Sequence, residues 1–152
     1  MQDIIAKALM HGVYVVTVKA EGRKNGMTAA WVSQVSFKPP LIMVSIAPAR
    51  YTHGLIKSAG YFAINTLSED QIEIAKHFGF KSGRKTDKLA NLEHFEAGHG
   101  SPVLKDALAY IECKLVNTFE AGDHTLFIGE AIEGKVLKEG KQPLLFIWER
   151  FF

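Results

Sequence analysis

Four cationic side chains, Lys81, Arg84, Lys85 and Lys88, stand within eight residues of the stretch "FGFKSGRKTDKLANL" (78–92), with Ser82 and Gly83 between them. Such a cluster repels itself unless an anion or water lies among the charges. A hydroxyl, and a glycine that lets backbone N–H groups turn inward, are the other ingredients of an anion nest. A solvated surface loop has the same composition, so the run alone leaves both readings open. It is not a P-loop, because "GFKSGRK" lacks the spacing that cradles two phosphates ahead of a helix.

A second feature is "NGMTAAWV", where Thr28, Ala29 and Ala30 put small side chains in the middle of a strand. Small residues in a sheet admit either a ligand close to the backbone or another closely packed strand. Flat heterocycles carry carbonyl and ring-nitrogen acceptors that strand N–H groups can meet.

Other chemistry is weakly represented. His11, His53, His77, His94, His99 and His124 form no pair with metal-ligand spacing, so no metal site is expected. His94 and His99, near Glu93 and Glu96, read as a polar loop. Cys113, inside "YIECKLV", reads as an unreactive core residue. No Gly-x-Ser-x-Gly elbow is present. With 152 residues, 47% of them hydrophobic, and a net charge of +2, the chain suits one domain over 1–152. That charge argues against a nucleic-acid binder, whose basic face should dominate the sum. The opening "MQDIIAKALMHG" is too polar and short for a signal peptide or membrane anchor, and one cysteine fits a reducing compartment, so a cytoplasmic location is expected.

The elements that must position these residues are mostly strands. After an N-terminal helix stopping at Gly12, "VYVVTV" (13–18) reads as a buried strand. "EGRKNG" (21–26) reads as a turn, with Asn25-Gly26 as its hairpin dipeptide. One strand is expected over 27–37 and another over 41–47. Thr52 is placed to cap a short helix closed by Gly60. A strand follows over 61–67, then a capping box at Ser68–Gln71 opens a helix to about His77, its Ile72, Ile74, Ala75 and Phe78 available to the core. Strands are expected near 110–120, 124–137 and 144–148. This order argues for a mainly β, Greek-key barrel with a few short helices.

The stretches "NGMTAAWVSQVSFKPPLIMVSIAPARYTHGLIKSAGYFAINTLSEDQ", "HFGFKSGRKTDKL" and "GDHTLFIGEA" together resemble the flavin reductase-like domain, from about Gly12 to Leu137. The form "FGFKSGRKTDK" is similar to that in flavin domains of NAD(P)H:rubredoxin-type oxidoreductases, flavoredoxins and archaeal ferric reductases. The resemblance implies an FMN-binding split β-barrel, a homodimer, and FMN in preference to FAD. By motif position it implies that Thr28, Ala29, Ala30 and Trp31 line the isoalloxazine edge. It places Ser45, Ile46 and Ala47 near the ring or ribityl chain, and Arg50, Tyr51, Thr52 and His53 at the ribityl chain and phosphate. Ser82, Gly83, Arg84 and Lys88 complete the phosphate end, with Asp87 orienting the cations. His124 is expected either to meet the nicotinamide or flavin, or to tie a turn to a strand end. Hydride would pass from NAD(P)H to the flavin and electrons onward to free flavin, ferric iron, a redox protein or oxygen. Two other classes fit the residues: an FMN electron carrier that does not oxidise NAD(P)H, and a small barrel binding single-stranded nucleic acid. The aromatic end "WERFF" (148–152) is read as part of a dimer interface.

Overall fold

The computed structural model describes residues 1–152. After helix α1 (Gln2–Ala8), strands β1 (Tyr14–Ala20), β2 (Arg23–Ala29), β3 (Val32–Ser36) and β4 (Leu41–Ile46) precede helix α2 (Tyr51–Ala59). Strand β5 (Tyr61–Thr66) and helix α3 (Ile72–Phe80) follow. A small hairpin comes next, β6 (His94–Glu96) and β7 (Pro102–Leu104), then the long pair β8 (Ala109–Ala121) and β9 (His124–Val136). A last turn of helix is α4 (Trp148–Phe151). No helix is long and apolar enough to cross a membrane.

Seven strands form one sheet in the order β2-β1-β5-β8-β9-β4-β3, with every neighbouring pair antiparallel. The two edge strands are consecutive in the chain. Laid flat, seven strands would span roughly 29 Å from edge to edge, whereas Ala29 and Val32 are three peptide steps apart, about 11 Å at most. The sheet therefore has to roll up, and because β2 and β3 do not pair, the barrel stays split at that seam. The single strand expected over 27–37 is corrected by this break at Ala30-Trp31, which moves the chain from one edge of the sheet to the other.

Alternation along β1 divides the core. Val16 and Val18 face the barrel interior with Met27, Ile42, Val44, Ile46, Phe62 and Phe127. Val13 and Val15 face outward into a second cluster under α3 with Leu67, Phe78, Leu89 and Leu144. Buried Asn65 joins the outer layer. Its Nδ2 donates to the Val15 carbonyl and Thr17 Oγ1, both at 3.0 Å, while its Oδ1 accepts from the Leu104 amide at 2.8 Å.

Several local expectations are corrected. The β1–β2 turn lies at Glu21-Gly22, both with positive φ (54° and 79°), not at Asn25-Gly26. Gly26 stands within β2 because a Cβ there would come within 2.9 Å of the Phe78 ring. Helix α2 begins one residue before Thr52 and is N-capped by Arg50 without a side-chain bond, while Gly60 closes it at φ 75° as expected. At Ser68 only half of the capping box forms: Gln71 Oε1 accepts from the Ser68 amide at 2.9 Å, but the Gln71 amide is bonded to the Ser68 carbonyl. The helix after it continues to Phe80. Residues 144–148 form no strand beyond isolated bridges, and their backbone instead ties Val13 to Leu67 through Leu144. Phe151 is buried in the second cluster of its own chain, which takes it out of the expected interface segment; Trp148 and Phe152 remain exposed and stacked at 4.3 Å.

His94 and His99, expected in a polar loop, belong to a hairpin: His94 opens β6 and His99 lies in the turn before β7. Fully buried Glu112 on β8 holds its end, accepting from the His99 amide at 2.9 Å and the Ser101 amide at 3.1 Å. Glu112→Ala strands both donors. Each unpaired N–H costs about 1–3 kcal/mol, so urea unfolding is expected to show a loss of about 3 kcal/mol with the hairpin's amides exchanging first.

Candidate functional site

The end of α3, the loop after it and the start of α2 converge on one cavity of about 290 Å³. Arg50, Tyr51 and Thr52 line it from α2, Ser82, Gly83, Arg84 and Lys88 from the loop, and Asn25 and Met27 from β2. The loop is a chain of turns: the Lys85 and Thr86 amides both reach the Ser82 carbonyl, and the Arg84 amide reaches Ser82 Oγ at 3.2 Å. Arg84 donates to the Ala49 carbonyl at 3.0 Å and lies 5.2 Å over the Tyr51 ring, so its guanidinium is held at the rim.

Lys88 is 2% exposed. Its ammonium donates to the Phe78 and Lys81 carbonyls, both at 3.1 Å, which are the orphan acceptors at the C-terminus of α3. Burial, and secondarily the charge of Arg50, push it down to about 8. Burial also lowers the Arg50 guanidinium from its ordinary value. No carboxylate lines the cavity. Asp87 accepts from the Leu89 amide at 3.1 Å and makes no ion pair with the cations it was expected to orient.

Four cations, the N-terminal end of α2 and no acidic partner make this a cradle for an anion. Gly83 is what lets the loop close: a Cβ there would fall 2.0 Å from Asn25 Oδ1 and 3.0 Å from the Tyr51 ring. Asn25 Oδ1 is buried with no hydrogen-bond partner. A side-chain-free approach at Gly83 and an all-cationic donor set fit a phosphate group.

The other expected site residues lie beyond the cavity. Thr28 does not present its hydroxyl outward, because Oγ1 donates to the Ala75 carbonyl at 2.6 Å. Ala29 and Ile46 are buried in the barrel interior, so only their backbone is available to a ligand. The Ser45 amide donates to the Trp31 carbonyl at 3.0 Å, closing the link between the end of β4 and the break after β2. Ala47 follows at the half-buried end of that strand. Half-exposed Trp31 lies 4.8 Å from the ring of His124, whose Nδ1 is 2.8 Å from Asp123 Oδ1. His53 turns away from the cavity toward β9, with Nε2 2.9 Å from Thr125 Oγ1, and its pKa is lowered chiefly by burial. The first turn of α2 thus borders both groups, Tyr51 and Thr52 on the cradle and His53 on the Thr125 side. Ala30, in the break, joins β2 to Trp31.

The sequence reading missed Asn25, Met27, Ala49, Gly79 and Phe80 as cavity residues. For Asn25 the turn-like dipeptide was the misleading signal.

The chain matches the flavin reductase like domain over residues 6–152. It belongs to that family. It is 36% identical over 135 residues to a ferric-chelate reductase (NAD(P)H) of Archaeoglobus fulgidus, covering 88% of this chain and 80% of that protein. Against a high molecular weight rubredoxin of Moorella thermoacetica it is 37% identical over 142 residues, 92% of this chain. The chain spans 62% of that rubredoxin and between 22% and 46% of other curated relatives. The crystal structure of an FMN-binding protein from Thermus thermophilus superposes with a TM-score of 0.81 at 35% identity, over 85% of this chain and 73% of that one. The fold is the split barrel of this flavin reductase-like family.

Proposed function

We propose that the protein is an NAD(P)H-dependent reductase that holds FMN, its phosphate in the Arg50–Lys88 cradle. The observation that carries this is a cavity lined by Arg50, Lys81, Arg84 and Lys88 with no carboxylate among them. FMN ends in a phosphate that is close to dianionic at neutral pH, which matches such a lining. The FMN-binding neighbour and the ferric-chelate reductase support this choice of cofactor and donor.

In this reading the backbone from Thr28 to Trp31 and the ends of β4 and β9 border the ring, and Ser45, Ile46 and Ala47 contribute through their main chain. When bound, the flavin supplies hydride acceptance and onward electron transfer. The residues bind, orient and exclude water. His124, fixed by Asp123 and beside Trp31, positions the nicotinamide. His124→Ala is expected to slow NADH or NADPH oxidation about tenfold by loss of orientation with FMN affinity unchanged; stopped-flow bleaching checks this.

A second protomer is part of the proposal. Val35 on β3, Phe37 just after it, Val116 and Phe119 on β8 and Ile132 on β9 are exposed apolar side chains that a homodimer would cover. The decisive experiment is to add FMN to the purified protein, remove excess, and mix it anaerobically with NADH or NADPH. A yellow protein that bleaches supports the reductase. A yellow protein that does not bleach identifies an electron carrier, and a colourless one that binds oligonucleotides overturns the flavin reading.

A further inference from the structure

The amide of Asn25 lies mid-strand in β2 and is 2% exposed, yet it lines the cradle. One end is anchored, 2.8 Å from Thr52 Oγ1 in the first turn of α2. The other end is a buried polar atom without a partner, under Gly83. A side chain with one satisfied and one orphaned end is a directed group, and Asn25 lines the cavity where Arg50 and Lys88 also stand.

The two ends of a carboxamide are interchangeable in shape and differ only in which is donor and which acceptor. Thr52 accommodates either, because its hydroxyl accepts from Nδ2 or donates to Oδ1. The choice therefore falls to what occupies the cavity. An acceptor facing inward opposes an anion, and a donor joins the cations around it. We infer that Asn25 is a phosphate-reading residue, anchored by Thr52, which turns its N–H groups toward the anion and makes the cradle select phosphorylated over unphosphorylated ligands. This rests on the FMN reading for the identity of the ligand, though not for its charge.

The arrangement explains two neighbours. Gly83 has no side chain because the Asn25 amide occupies that space, and Thr52 is buried in the helix start as the amide's fixed point and not as a cap. An aspartate at position 25 has nearly the same shape but puts a second acceptor, and a negative charge, against the anion.

The test compares FMN with riboflavin, which lacks the phosphate, on the wild-type protein and on Asn25→Asp. The expected result is that N25D lowers FMN affinity about thirtyfold while riboflavin affinity changes less than about threefold. Equal losses for both flavins, or no loss for FMN, would overturn the inference. The side-chain amide resonances of Asn25, assigned in the ¹⁵N-labelled wild-type protein, give a readout free of both folding and flavin: titration with inorganic phosphate should shift them in a saturable way. If they stay fixed, Asn25 does not read phosphate. If wild-type protein binds neither flavin, the FMN proposal fails, and the phosphate titration alone still decides the role of Asn25.

Discussion

Lys88→Met is expected to weaken FMN binding about a hundredfold and to remove the alkaline limb of its pH dependence. The ammonium is buried in the cradle and bonded to the carbonyls that end α3. A charge-assisted bond to phosphate contributes about 1.5–3 kcal/mol, and each 1.4 kcal/mol is about tenfold. Without it, the Phe78 and Lys81 carbonyls face the anion unshielded. The pH behaviour separates this from general damage. Because Lys88 is held down to about 8, the free protein carries a neutral amine above that pH, and a dianion then has to recruit a proton as it binds. The apparent dissociation constant should rise toward about tenfold per pH unit above 8. Stability runs the other way. The unfolded chain holds this proton up to about 10.5 and the folded one only to about 8, so the destabilisation from burying the cation is complete below pH 8 and relieved between 8 and 10.5. Lys88→Met should therefore fold at pH 7, bind FMN weakly, and show a flat affinity profile from pH 7 to 9.5. Retention of wild-type affinity in a fluorescence titration would remove Lys88 from the phosphate site.

Much of the site was legible because it depends on residue type and local order. The run from Lys81 to Lys88 sets four cations against the single carboxylate of Asp87, and its place directly after a helix put it near that helix's end. What could not be read was the way side chains spend their hydrogen bonds. Thr28, expected at a ring edge, gives its hydroxyl to the Ala75 carbonyl, and His53, expected at the phosphate, gives its ring to Thr125. Both partners lie far away in sequence, so only the folded chain reveals them. Asn25-Gly26 shows the same limit at the level of the fold. As a dipeptide it reads as a hairpin turn, but the turn falls at Glu21-Gly22, and Gly26 is instead the gap into which Phe78 fits. The break at Ala30-Trp31 went unread because its cause is closure of the whole sheet. The small side chains of Thr28, Ala29 and Ala30 signalled close approach without saying of what.

Gly129 on β9 makes room in the barrel in the same manner, and its replacement is expected to have the largest effect on stability. Gly129 is buried where β9 pairs with both β4 and β8, opposite Ile42 and Leu115. A Cβ there would stand 2.7 Å from the Cβ of Cys113 and 2.8 Å from the edge of the Phe62 ring. Both neighbours are fully buried in the interior cluster, so neither has solvent to move into. Overpacking by one methyl typically costs about 1–3 kcal/mol. At about 2–4 °C per kcal/mol for a chain this size, Gly129→Ala should lower Tm by about 2–12 °C. Gly129→Val, with two further carbons against the same wall, is expected to cost about 4–5 kcal/mol, a large part of an ordinary domain's stability. Thermal melts of Gly129→Ala, Phe62→Leu and the double variant decide the mechanism. Phe62→Leu alone should be destabilising because it leaves a void. In the double variant the added methyl enters that void, and the two losses should fall short of additive by about 1 kcal/mol. Strict additivity would mean that the strain at Gly129 arises from the sheet backbone and not from the ring it was left open to receive.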